Sequence, residues 1–288
     1  MRKMLPLFVA TLLLLAVFSP VFANENSNGA FLLGDGKISN QPKRGSVMAC
    51  QSMFPGGGGA HRVGEWIKNG YWYPEEKPMV EGRINWSNAE ISVSVEGDFR
   101  VFRSNKLPVH STGKFPIQPG TEAYKYDRNP NSIREQSLVL KLPATPVVAE
   151  TPDCVPMGLI GYSLTGSAIF NAFDAAGRDA PAYEIQDHCN AHPERGGTYH
   201  YHDWSECIPD KSGDSGNHSD IAGFMLDGFP IFGPKGENGV TVTNNELDEC
   251  HGHTHNIVID GKTVSLYHYH FTHEFPYTIG CFRGSNVA

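Results

Sequence analysis

The chain has 288 residues, with 23 Lys and Arg against 31 Asp and Glu, for a formal net charge of −8. That acidic balance argues against nucleic acid and anionic membrane surfaces as partners. Six Cys, an even number, read first as three disulfides, with thiolate metal ligation as the competing use.

Arg2 and Lys3 precede an almost wholly apolar stretch from Leu5 to Phe18. Ser19-Pro20 breaks it, and Val21-Phe22-Ala23 closes it in an A-x-A-like cleavage signal. The pattern predicts a secretory signal peptide over residues 1–23, too short for a comfortable membrane span. No later stretch is long and apolar enough for membrane insertion, and no Cys marks a lipoprotein. An exported, periplasmic or secreted location follows, and suits disulfides. Cleavage would take the net charge to −10, because residues 1–23 hold two basic residues and no acidic one. It would expose Asn24 rather than a His, which speaks against an N-terminal amine–imidazole copper site.

Residues 24–45 are polar and Gly/Asn-rich and read as a flexible segment. Residues 46–156 read as an N-terminal β region. Within it, Gly56 to Gly59 is a turn rather than a phosphate loop, since no Gly-Lys-Ser/Thr follows. Glu90 to Phe102 alternates apolar and polar residues around Glu96-Gly97-Asp98, a β-hairpin pattern. Leu138 to Leu142 is a further strand. Pro143, Pro146, Pro152 and Pro156 then mark a boundary near Met157. No segment has a long, capped helical period. The 20 Pro and 31 Gly suit many short strands and turns. The expected fold is mainly β, an antiparallel sandwich or barrel-like domain.

Residues 157–288 contain a duplication. GYSLTGSAIF at 161–170 matches GFMLDGFPIF at 223–232. Asp187-His188-Cys189-Asn190-Ala191-His192 matches Asp248-Glu249-Cys250-His251-Gly252-His253 as D-x-C-x-x-H. Tyr199-His200-Tyr201-His202 recurs as Tyr267-His268-Tyr269-His270, and each unit closes on a Cys, at 207 and 281. The two units, 161–207 and 223–281, are expected to be related by a pseudo-twofold axis. Mirroring the repeat, the disulfides are expected to be Cys189–Cys207 and Cys250–Cys281, with Cys50–Cys154 by elimination.

Eleven of the 13 His lie between residues 188 and 273. On a strand, His200 and His202 share one face while Tyr199 and Tyr201 take the other. Two His at i and i+2 stand about 6.6 Å apart along the strand, close enough to converge on one ion. A third His completes a common ligand set, giving His192, His200 and His202 in one unit and His253, His268 and His270 in the other. The four tetrapeptide His are expected to face one buried or semi-buried polar region. Pairing of the units offers one shared or binuclear site as the alternative to two separate ones. Imidazole-rich ligation suits Cu or Zn best. Packing of Tyr-His strands, with each His bonded to an Asp or a carbonyl, is the metal-free reading. Asp187 and Asp248 are candidates to orient the imidazoles or to cap the turn before each Cys. His251 and His255 lack counterparts in the first unit and read as surface or auxiliary residues. His61 and His218 carry little information. No nucleophile elbow or Ser/His/Asp motif is visible.

The YHYH tetrapeptides, DGFPIFGP (227–234) and FPYTIGCFRG (275–284) resemble the bacterial YHYH-domain proteins. LPVHSTGKFP (107–116) and NPNSI (129–133) extend the resemblance, which runs from about Ala60 to Gly284. Thr165-Gly166-Ser167-Ala168 stands where the second unit has Asp227-Gly228-Phe229-Pro230. The resemblance implies a secreted protein without specifying a reaction, and draws in His110 as a candidate metal ligand.

Three functions fit these features. The first is an exported protein that binds Cu or Zn. The second is a secreted metalloenzyme, an oxidase or hydrolase, with an open coordination position; Tyr201 or Tyr269 near the metal would favour redox chemistry. The third is a metal-free adhesive or glycan-binding β module.

Overall fold

The computed structural model describes residues 29–288 except 55, 57, 58 and 286. The signal-peptide stretch, residues 1–23, lies outside the described residues. Of the stretch read as flexible, Phe31–Leu32 pairs antiparallel with Tyr71–Trp72, and Ala30 is fully buried.

The fold is mainly β and is organised on one eight-stranded sheet. Its strands are β1 (Leu159–Ser163), β2 (Ala168–Phe170), β3 (Ala191–Pro193), β4 (Tyr199–Tyr201), β5 (Ile221–Met225), β6 (Pro230–Phe232), β7 (Gly252–Ile259) and β8 (Lys262–His270). The order across the sheet is β3-β4-β2-β1-β5-β6-β8-β7. Pairing is antiparallel except for β2 with β4 and β6 with β8, which are parallel. Two expectations are corrected here. The sheet is mixed rather than all antiparallel, because the long connections after β2 and β6 return the chain in the same sense. It is also open: β3 and β7 are its edges and no barrel closes.

The repeated glycines have distinct physical reasons. β1 and β5 meet at the sheet centre, and a Cβ on Gly223 would stand 2.4 Å from the Tyr162 carbonyl oxygen. Gly166 and Gly228 turn the chain between the paired strands at φ +87 and +89, a region that L side chains avoid.

The expected hairpin forms as Ile91–Glu96 against Phe99–Ser104, and Leu138–Pro143 adds a third strand. Phe102 meets Phe224 of β5 edge-on at 5.9 Å, and the Arg100 guanidinium lies 4.3 Å from the same ring. One hydrophobic core therefore joins residues on both sides of Met157, from Val47 and Leu142 to Tyr269 and Phe282.

The three disulfides are Cys189–Cys207 and Cys250–Cys281, as the repeat predicts, and Cys50–Cys154, as elimination leaves. They close loops with sequence separations of 104, 18 and 31. By loop entropy, replacing both Cys of the 189–207 bridge by Ser should cost about 3 kcal/mol, and of the 50–154 bridge nearer 5 kcal/mol. Urea unfolding of the two Cys→Ser pairs checks this, and the reverse ranking would show that chain entropy does not set their contributions.

Candidate metal centres

The first centre is built where β3 pairs with β4. His192 lies opposite His200 in the register, and His202 follows immediately after the strand. All three rings are at most 4% exposed. His200 Nδ1 donates to the Thr198 carbonyl at 3.1 Å, and His202 Nδ1 donates to the Asn171 carbonyl at 2.5 Å. A carbonyl only accepts, so each Nδ1 carries a hydrogen, and in the neutral ring Nε2 presents a bare lone pair. Those two Nε2 atoms stand 3.1 Å apart, and when both rings are neutral neither can donate to the other. Two nitrogens on one tetrahedral ion at about 2.0–2.1 Å would stand about 3.3 Å apart. Burial, reinforced by the charges of His192 and His202, holds His200 well below the usual imidazole range.

Glu184, 6% exposed, brings Oε2 to 3.1 Å from His192 Nε2 and 3.2 Å from His202 Nε2. Burial opposes charge on His192, but the Glu184 carboxylate outweighs it and raises the ring's pKa.

The second centre repeats the scheme on β7 and β8. His253 lies opposite His268. His268 Nδ1 donates to the Leu266 carbonyl at 3.0 Å, and His270 Nδ1 donates to the Gly233 carbonyl at 2.7 Å. These carbonyls occupy the same places in the repeat as Thr198 and Asn171. His218 joins them, its Nδ1 donating to the Ser219 carbonyl at 2.9 Å. The ligating nitrogens of His218, His253, His268 and His270 all lie within 4.8 Å of one another. The four Nε2 atoms are buried and have no hydrogen-bond partner. Burial pushes His268 down to about 3 and, with the charge of His255, His253 down to about 4. His253, His268 and His270 are therefore neutral near pH 7, the state that binds metal.

The tyrosines take the opposite face. Tyr199 donates to both Asp187 oxygens, at 2.9 and 2.8 Å, and Tyr267 donates to Asp248 at 3.0 Å. The same Asp pair accepts from the backbone N–H of Cys189 and Cys250, each at 2.9 Å. Asp187 and Asp248 thus cap the turns and hold tyrosines, and they do not touch the imidazoles of the clusters. Tyr201 meets Thr165 at 3.0 Å, and Tyr269 donates to Asp227 at 2.6 Å. Burial and Asp227 push the Tyr269 phenol well above its usual value, so it stays protonated.

The structure brings together His192, His200 and His202, and separately His253, His268 and His270. The expectation of one common region is corrected: five strand spacings, about 24 Å, separate β4 from β8 across the sheet. His110 joins neither group, since its Nδ1 meets the Ser111 carbonyl and its Nε2 the Tyr201 hydroxyl on the tyrosine face. His251 is buried against Thr272, and the His255 ring lies tilted beside His253 while pairing with Glu237. Glu184 and His218 escape sequence reasoning because neither has a counterpart of its own type in the other unit.

An unfolded imidazole takes up its proton near pH 6.5, whereas folded His268 does so only at about 3. Between these values the unfolded chain binds more protons, so these rings lower stability as pH falls. In metal-stripped protein, the His268→Ala/His270→Ala variant should therefore lose less stability than the parent between about pH 6.5 and 4. Urea titrations at several pH values test this, and parallel pH profiles would mean that the rings titrate as they do in water.

Residues 139–242 match the family model described as YHYH protein. The match includes the first tetrapeptide and DGFPIFGP, while the second tetrapeptide and the segments 107–116, 129–133 and 275–284 lie outside it. No curated protein and no solved structure matched the chain. Residues 139–242 thus match the YHYH family, and the sequence repeats the tetrapeptide outside that match.

Proposed function

We propose that this is an exported protein that binds a transition metal, Cu or Zn, at two separate imidazole centres carried by duplicated units. One observation carries the reading: four buried Nε2 atoms converge at the second centre without a single hydrogen-bond partner. An unpaired buried polar atom costs about 1–3 kcal/mol, and carbonyl bonds to Nδ1 hold His218, His268 and His270 in place. A cation satisfies all four lone pairs at once. Imidazole nitrogens select Zn, Cu, Fe or Ni over the oxygen-seeking cations.

Three further features support parts of the proposal. The strand pairings read the same from either edge of the sheet inward, which fits two units about a pseudo-twofold axis. Three disulfides suit an oxidising compartment. No helix among the described residues is long and apolar enough to cross a membrane.

Untagged protein, purified from an exporting host, should carry up to two equivalents of Cu or Zn by elemental analysis. His268→Ala/His270→Ala should remove one equivalent and leave the other, and His200→Ala/His202→Ala should do the converse. The parent's thermal midpoint should rise with added metal, because a ligand held only by the folded state stabilises it. A parent that takes up neither ion and shows no thermal shift would refute the reading.

A further inference from the structure

The two clusters are not chemically alike. The second has four imidazole nitrogens, enough to fill a four-coordinate ion. The hollows beside it are small, 340 and 420 Å³, and among its rings only His253 lines them. The first has three imidazoles, and three protein ligands with one free position is the arrangement of an ion that still takes water or substrate. Its cleft measures 1120 Å³, and His192, His200 and Glu184 all line it. Phe170 stacks on His200 at 3.8 Å and forms part of the apolar wall, with Phe173 and Met157. Arg128, Arg195 and Asn131 add polar groups to the lining. Glu184 Oε2 is buried and forms no hydrogen bond of good geometry, although it lies beside two ligand nitrogens.

We infer that the centres are unequal: the second encloses its ion with four imidazoles, whereas the first leaves one position open to the cleft, where a water or small anion binds beside Glu184. This rests on the metal-binding reading proposed above. Glu184 acts there as a positioning residue: its carboxylate accepts a hydrogen bond from bound water and, by charge, opposes a bound anion. The second centre offers no carboxylate within its four-nitrogen group.

Co(II) reports its own coordination through its visible absorption, and azide is a small anion that binds open positions. In the parent chain carrying two Co(II), azide should shift the visible bands of one ion and leave the other unchanged. The His268→Ala/His270→Ala protein, which retains only the first centre, should show the full shift. The His200→Ala/His202→Ala protein should show none. Glu184→Gln, which removes the charge but keeps the shape, should retain Co(II) at the first centre and bind azide more tightly. The parent measurement needs no variant to fold. A response from both ions, from neither, or from the second centre alone would overturn the inequality, and absence at the first would mean that Glu184 itself fills the fourth position. Failure of the parent to bind Co(II), Cu or Zn at all would instead sink the metal reading on which this rests.

Discussion

Everything in the two clusters depends on the pinning of each YHYH strand by its tyrosines. Side chains alternate across a strand, so fixing one face fixes the other. Tyr199 is tied to the buried Asp187, and Tyr267 to the half-buried Asp248. The histidines that alternate with them have no freedom to exchange faces, since a one-residue slip would bury imidazoles in the apolar core. Backbone carbonyls then choose the tautomer, by taking the Nδ1 hydrogen of His200, His202, His268 and His270. The result is a set of bare nitrogens aimed inward, preorganised before any ligand arrives.

The units share this frame and differ in what surrounds it. Thr165 and Asp227 occupy matching turns and meet matching tyrosines. Asp227 also accepts backbone N–H groups of Arg283 and Gly284, and so anchors the C-terminal strand. Thr165 has no such segment to hold, and Tyr201 shares its hydroxyl with His110 instead. The one motif position at which the units depart most is thus explained by the chain end that only the second unit must secure.

Sequence reading reached the features that repeat or alternate locally. The hairpin around Gly97, the strand at Leu138, the three cysteine pairs and the two sets of three histidines all follow from spacing. It did not reach features set by long connections. The parallel pairings of β2 with β4 and β6 with β8 depend on how long segments return, which period-two patterns do not encode. The separation of the clusters follows from β1 and β5 meeting at the sheet centre, and no residue near the histidines signals that. Glu184 lies in the first unit and His218 between the units, and neither belongs to a repeated motif, so only the folded chain places them. His110 was drawn in by a motif, yet that motif serves the tyrosine face.

Each disulfide has a consequence for how a centre can change. Cys189–Cys207 encloses His192, His200 and His202, and Cys250–Cys281 encloses His253, His268 and His270. Glu184 and His218 both lie outside those covalent rings. Each ring therefore carries three imidazoles, and the residue that distinguishes the two groups comes from outside it. A substitution at position 184 or 218 changes the surroundings of one histidine group while leaving its bridge and the other group untouched.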